Sequence, residues 1–186
     1  MKPELERVAI AYIAGGPLRR VWIAATQTEV VQVGLAGSKK RFIQELKNQN
    51  YTPGGPDKWL AKAARQLTEY LAGKRRVFSL AVSLPAGPPF SRRVFQLLRK
   101  VPYGTTLTYQ QLARRAASPK ASRAVGNIMA ANPLPLIIPC HRVVATAGLG
   151  GFGGGLKMKQ ALLDMEGARL RFRAPRPSRN RTAPRS

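Results

Sequence analysis

The hydrophobic pattern divides the chain into two unlike stretches. In the first 85 residues, dense apolar runs are rich in β-branched and aromatic residues. "VAIAYIAG" (8–15) and "RRVWIAATQ" (19–27) predict strands, joined by a turn at Gly15-Gly16-Pro17. "EVVQVGLA" (29–36) predicts a third strand. A polar helical stretch follows over Lys39–Asn48, and "YTPGGPD" (51–57) breaks the chain with Pro and Gly. In "KWLAKAARQLTEYLAG" (58–73), Leu60, Ala63, Ala64, Leu67 and Leu71 recur at helical spacing, and Gly73 stands where a helix C-cap is expected. "RVFSLAVSL" (76–84) predicts one more strand, and "PAGPPF" (85–90) reads as a linker.

Beyond the linker the period becomes helical. "SRRVFQLLRKV" (91–101) places Val94, Leu97, Leu98 and Val101 on one stripe. "TYQQLARRA" (108–116) opens with Thr108 and Gln111 at capping-box spacing. "SPKASRAVGNIMAAN" (118–132) offers Ser118 as N-cap and Pro119 at the first helical position. Two short helices across a tight turn form a helix-turn-helix pattern. The second carries small residues, Ala121, Ser122, Ala124 and Gly126, around one long basic side chain, Arg123. Such a face suits close approach to a surface and equally suits tight packing against another helix. "TAGLGGFGGGL" (146–156) has six glycines, but lacks the Lys-Ser/Thr ending of a phosphate-binding P-loop. "KMKQALLDMEGARL" (157–170) predicts a last helix, and the Arg/Pro-rich tail 171–186 reads as disordered and phosphate-attracting. The expected fold class is α/β in the α+β sense. A mixed α/β domain with a small sheet spans 1–85, and a mostly helical domain with the helix-turn-helix spans 90–170.

Charge narrows the partners. Lys and Arg total 32 against 8 Asp and Glu, a formal net charge of +24. From Tyr70 to Leu163 there is no acid and there are fourteen Lys or Arg. A polyanion fits such a surface, because phosphates neutralised by protein cations release their condensed counterions. No apolar run reaches the ~18 residues that a membrane span needs. The N-terminus lacks the apolar core of a signal peptide. The single cysteine excludes an internal disulfide, which fits a reducing compartment, cytoplasmic (nucleoid-associated) or nuclear rather than secreted.

That cysteine, Cys140, stands beside the only histidine, His141, in "IPCHRVV" (138–144). One Cys and one His cannot supply the three or four ligands of a zinc site. The thiol is therefore either packing filler or a nucleophile. Cationic neighbours lower a thiol's pKa, so Arg142 and the acid-free span favour the nucleophile. In an extended segment, adjacent side chains point to opposite sides. His141 would then act through a local bend or a water, with a carboxylate to hold its tautomer. Asp164 and Glu166 are the acids available for that role.

Together these stretches resemble the O6-alkylguanine-DNA alkyltransferases. "PCHRV" (139–143) matches that family's signature. "VPYGTTLTYQQLA", "ASRAVGNIMAANP", "GLGGFGGG" and "LLDMEG" match its flanking blocks in order and spacing. The resemblance covers roughly 90–170, with a weaker likeness over 1–85. It implies DNA repair by irreversible, stoichiometric transfer of the O6-alkyl group of a flipped-out guanine to Cys140. His141 would be the base through a bound water, oriented by Glu166. Asn132 would link the recognition helix to the thiol segment. Tyr109 would help rotate the nucleotide and protonate the departing guanine. Arg123 would enter the duplex, while Ala121, Ser122, Ala124 and Gly126 lie in the minor groove. Met129, Pro135, Val143, Phe152, Gly153 and Gly154 would line the base pocket. The resemblance implies no cofactor and no metal. The partner would be double-stranded DNA containing O6-alkylguanine, bound by a monomer whose cooperativity on DNA stays open. Two other readings are a non-catalytic lesion-recognition protein and an alkylation-sensing helix-turn-helix regulator. The former lacks the acceptor cysteine that this chain has.

Overall fold

The computed structural model describes residues 5–35 and 37–170, the side chain of Arg19 apart. The expectation of a disordered tail over 171–186 lies outside the described residues. Strands β1 (Glu6–Gly15), β2 (Leu18–Ala25) and β3 (Val30–Gly34) form an antiparallel meander, with Ala9 opposite Ala25 and Ile23 opposite Val33. The segment read as a chain break contributes a fourth strand, β4 (Tyr51–Pro53), parallel to β1, giving the order β3-β2-β1-β4. Proline is tolerated there because β4 is an edge.

The near-continuous apolar runs follow from helices on both faces of this sheet. Adjacent residues on a strand face opposite ways. Val8, Trp22, Ala24 and Val31 pack with Phe42 and Leu46 of helix α1 (Lys39–Lys47). Ala9, Val21, Ile23 and Val33 pack with Leu60, Ala63 and Leu67 of helix α2 (Lys58–Leu71). Helix α2 ends in a Schellman motif. Gly73 at φ +71° donates to the Tyr70 carbonyl at 2.9 Å, and Lys74 donates to that of Glu69 at 2.8 Å.

The strand expected over 76–84 does not form. Only Val82 makes an isolated bridge, to Val30. Side chains take the polar groups that a ladder would have used. Gln66 accepts from the Ser79 N–H at 2.9 Å, and Arg99 donates to the Leu80 carbonyl at 2.7 Å. Helix α3 (Pro89–Arg99) begins earlier than expected, inside the supposed linker, because Pro89 suits a first helical turn.

Strand β5 (Leu107–Thr108) leads into helix α4 (Tyr109–Arg115), where Thr108 and Gln111 make the reciprocal capping box. Helix α5 (Ser122–Ala130) starts three residues later than an N-cap at Ser118 predicts. Ala117 sits at φ +60°, and Ala121 donates to the Ser118 carbonyl at 2.9 Å. Ser118 and Pro119 thus belong to the turn between α4 and α5. A 3₁₀ turn (Cys140–Arg142) opens into β6 (Val143–Val144), which pairs in parallel with β5. Helix α6 (Leu156–Met165) follows the glycine-rich loop. One apolar core runs from Ile23 and Leu67 through Leu98 and Leu112 to Ile138 and Leu162, joining the two stretches of chain.

The capping box fixes the start of α4 and hence the position of Tyr109. Thr108→Ala is expected to lower stability by about 1 kcal/mol, read as a shifted urea midpoint with an unchanged slope.

Candidate active site

Cys140, His141 and Arg142 occupy a single 3₁₀ turn, not the extended segment expected. A turn lets neighbouring side chains leave in directions other than opposite ones. All three are buried. The segment that delivers them is tied to the end of α5 by Asn132. Its Nδ2 donates to the Ile138 carbonyl at 2.9 Å, and its Oδ1 accepts from Leu134 N at 3.1 Å.

The Glu166 carboxylate organises this turn. It accepts from Tyr70 Oη (2.6 Å), Gly104 N (3.1 Å), His141 Nε2 (3.0 Å), Arg142 Nε (2.9 Å) and Arg142 Nη2 (2.7 Å). Asp164, the other acid considered, instead accepts from Gln160. Arg142 also donates through Nη1 to the Val101 carbonyl at 2.6 Å. Gly104 is required where it stands. It has φ +72°, and a Cβ there would come within 2.8 Å of the Glu166 carbonyl oxygen.

Burial would raise the Glu166 pKa, but hydrogen bonds from His141 and Arg142 outweigh it and hold the carboxyl well below its usual range. Burial lowers the His141 pKa more than Glu166 raises it, so the imidazole is neutral at pH 7. With Nε2–H committed to the carboxylate, the lone pair falls on Nδ1. That atom is buried and has no protein hydrogen-bond partner among the described residues. His141 is thereby set as a base with Nδ1 free to accept.

The thiol differs from the sequence expectation. Burial pushes the Cys140 pKa up, against the opposing influence of Asn132 and Lys159. Arg142 does not lower it, because that guanidinium is spent on Glu166. The resting sulfur is a thiol, and reaction requires a base to take its proton.

A pocket of about 270 Å³ opens onto Cys140 between Tyr109, Gly126, Met129, Gly151, Phe152 and Gly153. Gly150, at φ +69°, lets the glycine-rich loop close on Tyr109, since a Cβ there would lie 2.8 Å from its ring. Pro135 lies in an adjoining hollow rather than in this pocket. Val143 and Gly154 do not line it. The Val143 carbonyl accepts from Lys159 Nζ at 2.6 Å, and Gly154 faces Met158 in a separate groove. On α5, Arg123 and Ala124 are exposed and a Cβ on Gly126 would meet nothing within 4 Å. The small-residue face is therefore open there, not packed against another helix, while Ala121 and Ser122 are half-buried.

Sequence reasoning missed Tyr70, Gly104, Arg142 as the ion partner, and Lys159. Lys159 Nζ donates to the carbonyls of Val143 (2.6 Å), Leu149 (2.5 Å) and Gly151 (3.1 Å), pinning the glycine-rich loop to β6. Burial lowers its pKa to about 8. The signal was present: Lys159 shares the 159–162–163–166 stripe with Leu162, Leu163 and Glu166, so a lysine falls on the apolar face.

The fold and site define a protein that presents a buried, base-supported thiol beneath an open helix face. Residues 14–84 match the ribonuclease-like domain, and residues 89–168 the DNA-binding domain, of 6-O-methylguanine DNA methyltransferase. The methylated-DNA–protein-cysteine methyltransferase of Methanosarcina acetivorans is 36% identical over 160 residues, 80% of this chain and 99% of the relative. The constitutive enzyme of that name from Bacillus subtilis is 44% identical over 156 residues, 81% of this chain and 90% of the relative. Among solved structures, Mycobacterium tuberculosis OGT in complex with DNA matches with TM-score 0.72 at 31% identity, covering 86% of this chain and 93% of that one. The chain belongs to the 6-O-methylguanine DNA methyltransferase family.

Glu166→Gln removes the carboxylate charge that pairs with Arg142 while keeping the shape. An unpaired buried guanidinium is expected to cost about 3–5 kcal/mol at pH 7 by chemical denaturation. Glu166 has a lowered folded pKa, so its contribution is complete above the unfolded carboxylate value, about 4.3, and is lost as pH falls through the folded value. The gap between wild type and variant should therefore narrow in acid.

Proposed function

We propose that this protein repairs DNA by taking the O6-alkyl group of a guanine onto Cys140, once per molecule. The observation that carries this reading is the buried thiol at the floor of a pocket, beside a neutral imidazole whose Nε2–H is held by Glu166. A base inside a duplex cannot reach such a floor, so the nucleotide must leave the stack at a cost of a few kcal/mol.

The chemistry follows from the proton positions. His141 Nδ1 takes the Cys140 proton through a bridging water. The thiolate attacks the alkyl carbon in line with the C–O6 bond. A sulfur–carbon bond forms, the carbon–oxygen bond breaks, and its electron pair leaves on guanine. Tyr109, at the pocket wall, supplies a proton to the departing base and is recharged from solvent. Burial raises its pKa, which keeps the phenol protonated. The thioether has no route back, so each molecule acts once. Asn132 positions the thiol segment. Met129 and Phe152–Gly153 form the walls against the base, with Pro135 beside them.

The open α5 face, with Arg123 and Ala124 exposed and free space above Gly126, supports docking of that helix in the minor groove, Ala121 and Ser122 at its half-buried edge. Helices α4 and α5 then act as the helix-turn-helix, and Arg123 enters the duplex to replace the flipped base. The two units are residues 1–85 and 90–170, and the protein binds DNA as a monomer. No helix among the described residues is long and apolar enough to cross a membrane.

Incubation with duplex DNA bearing O6-methylguanine should replace the Cys140 thiol hydrogen by a methyl group, located by peptide mass spectrometry. Unmodified protein after stoichiometric DNA would sink the transfer reading. For Arg123→Ala, single-turnover repair of duplex should slow by about tenfold, the loss of ~1.4 kcal/mol of the flipping cost that the arginine offsets. Transfer from the free modified base should change far less, and equal losses on both substrates would count against insertion.

A further inference from the structure

Cys140 is approached from two sides. The pocket between Tyr109 and Phe152 accounts for one. A second hollow of about 170 Å³ shares Met129, Ala130, Cys140, Phe152 and Gly153 with it. That hollow continues past Asn132 and Pro135 to Gly34 and Leu35 at the end of β3, and to Arg41 and Glu45 on α1. Its far wall therefore comes from the N-terminal stretch.

This wall is built. The end of β3 is pinned to the thiol segment by Val33 N, which donates to the Pro133 carbonyl at 2.7 Å. Glu45 is held by Arg41 Nε at 2.9 Å through one oxygen and by Gln32 Nε2 at 3.0 Å through the other. Gln32 is itself buried and accepts from Gln49 Nε2 at 2.8 Å. Arg41 and Glu45 thus line the outer end of the hollow that reaches Cys140, with Glu45 held by the buried Gln32 amide.

Geometry says what enters. In-line attack places the first alkyl carbon between sulfur and O6. Any further atoms of the substituent project sideways from that line. The base occupies the first pocket, which leaves the second hollow for the rest of the chain. Chemistry says which chains fit. A guanidinium and a carboxylate side by side offer a donor and an acceptor with no net charge. A hydroxyl can accept from Arg41 and donate to Glu45. A terminal carboxylate would face Glu45, and a hydrocarbon end would offer neither group a hydrogen bond.

We infer that the Arg41–Glu45 hollow is a substituent subsite that favours O6-alkyl chains ending in a hydroxyl over apolar chains of equal length. This rests on the alkyl-transfer reading above. The transfer step is unchanged: the sulfur–carbon bond forms, the carbon–O6 bond breaks, and the hydroxyl is carried over intact. Arg41 and Glu45 act as specificity residues and touch neither the thiol proton nor the base.

The test uses the full chain and three duplexes, bearing O6-methyl-, O6-(2-hydroxyethyl)- or O6-propylguanine. Single-turnover rates for the longer substituents are divided by the methyl rate of the same variant. Wild type is expected to favour hydroxyethyl over propyl by about fivefold, the effect of one satisfied hydrogen bond. In Arg41→Ala/Glu45→Ala that preference should fall to about one. Both residues lie at the surface, so the variant is expected to fold, which its denaturation curve checks. Equal wild-type rates for the two longer substituents, or a preference that survives the double substitution, would overturn the subsite. Failure of methyl transfer itself would instead overturn the reading on which the subsite rests.

Discussion

A single buried carboxylate sets the geometry of the site. Removing a carboxylate from water costs several kcal/mol, and the cost is recovered only if donors surround it. Glu166 collects five N–H and O–H donors, from α2, from the turn before β5 and from the 3₁₀ turn. Each donor must arrive together with the others. The requirement fixes the 3₁₀ turn, the end of α6 and the Tyr70 side chain in one arrangement. It also fixes the imidazole tautomer, because only Nε2 can reach the carboxylate.

The same burial shapes the thiol. Exclusion of water raises the Cys140 pKa, so the sulfur does not idle as a reactive thiolate. A protonated thiol resists adventitious oxidation and metal capture, both of which act on the thiolate. Reactivity then depends on a proton acceptor, and the neutral imidazole with its free Nδ1 is the one at hand. Lys159 adds a positive charge behind the glycine-rich loop, which favours the anion once it forms. On the proposed alkyl-transfer reading, the site stores its nucleophile as the thiol and generates the thiolate locally.

What the sequence made legible follows the range of the interactions. The meander, both long N-terminal elements and the capping box are local, and periodicity or spacing revealed them. The strand over 76–84 failed because Gln66 and Arg99, distant in sequence, took its backbone groups. Strand β4 was hidden because its edge position tolerates a proline that a central strand would not. In the site, Cys140, His141 and Glu166 were legible as a scarce residue set. The downward thiol shift was misjudged because adjacency in sequence made Arg142 look like its partner. Arg142 turns instead to the carboxylate. Tyr70 was invisible, since nothing local marks a helix tyrosine as the donor to an acid 96 positions away.

The N-terminal stretch is therefore part of the site and not a support beneath it. Three independent contacts bind it to the thiol segment: Tyr70 to Glu166, Val33 to Pro133, and the shared apolar core. A strand pinned at 2.7 Å cannot move without moving the loop that ends at Cys140. Whatever shifts β3 or α2 must shift the carboxylate's donors or the pocket wall. Cys140, His141 and Glu166 lie in the helical stretch, but the position of the imidazole and the width of the pocket are held in common. Loss of the first 85 residues would uncover the core and leave Glu166 short of a donor, so the setting of the Cys140 thiol belongs to the whole fold.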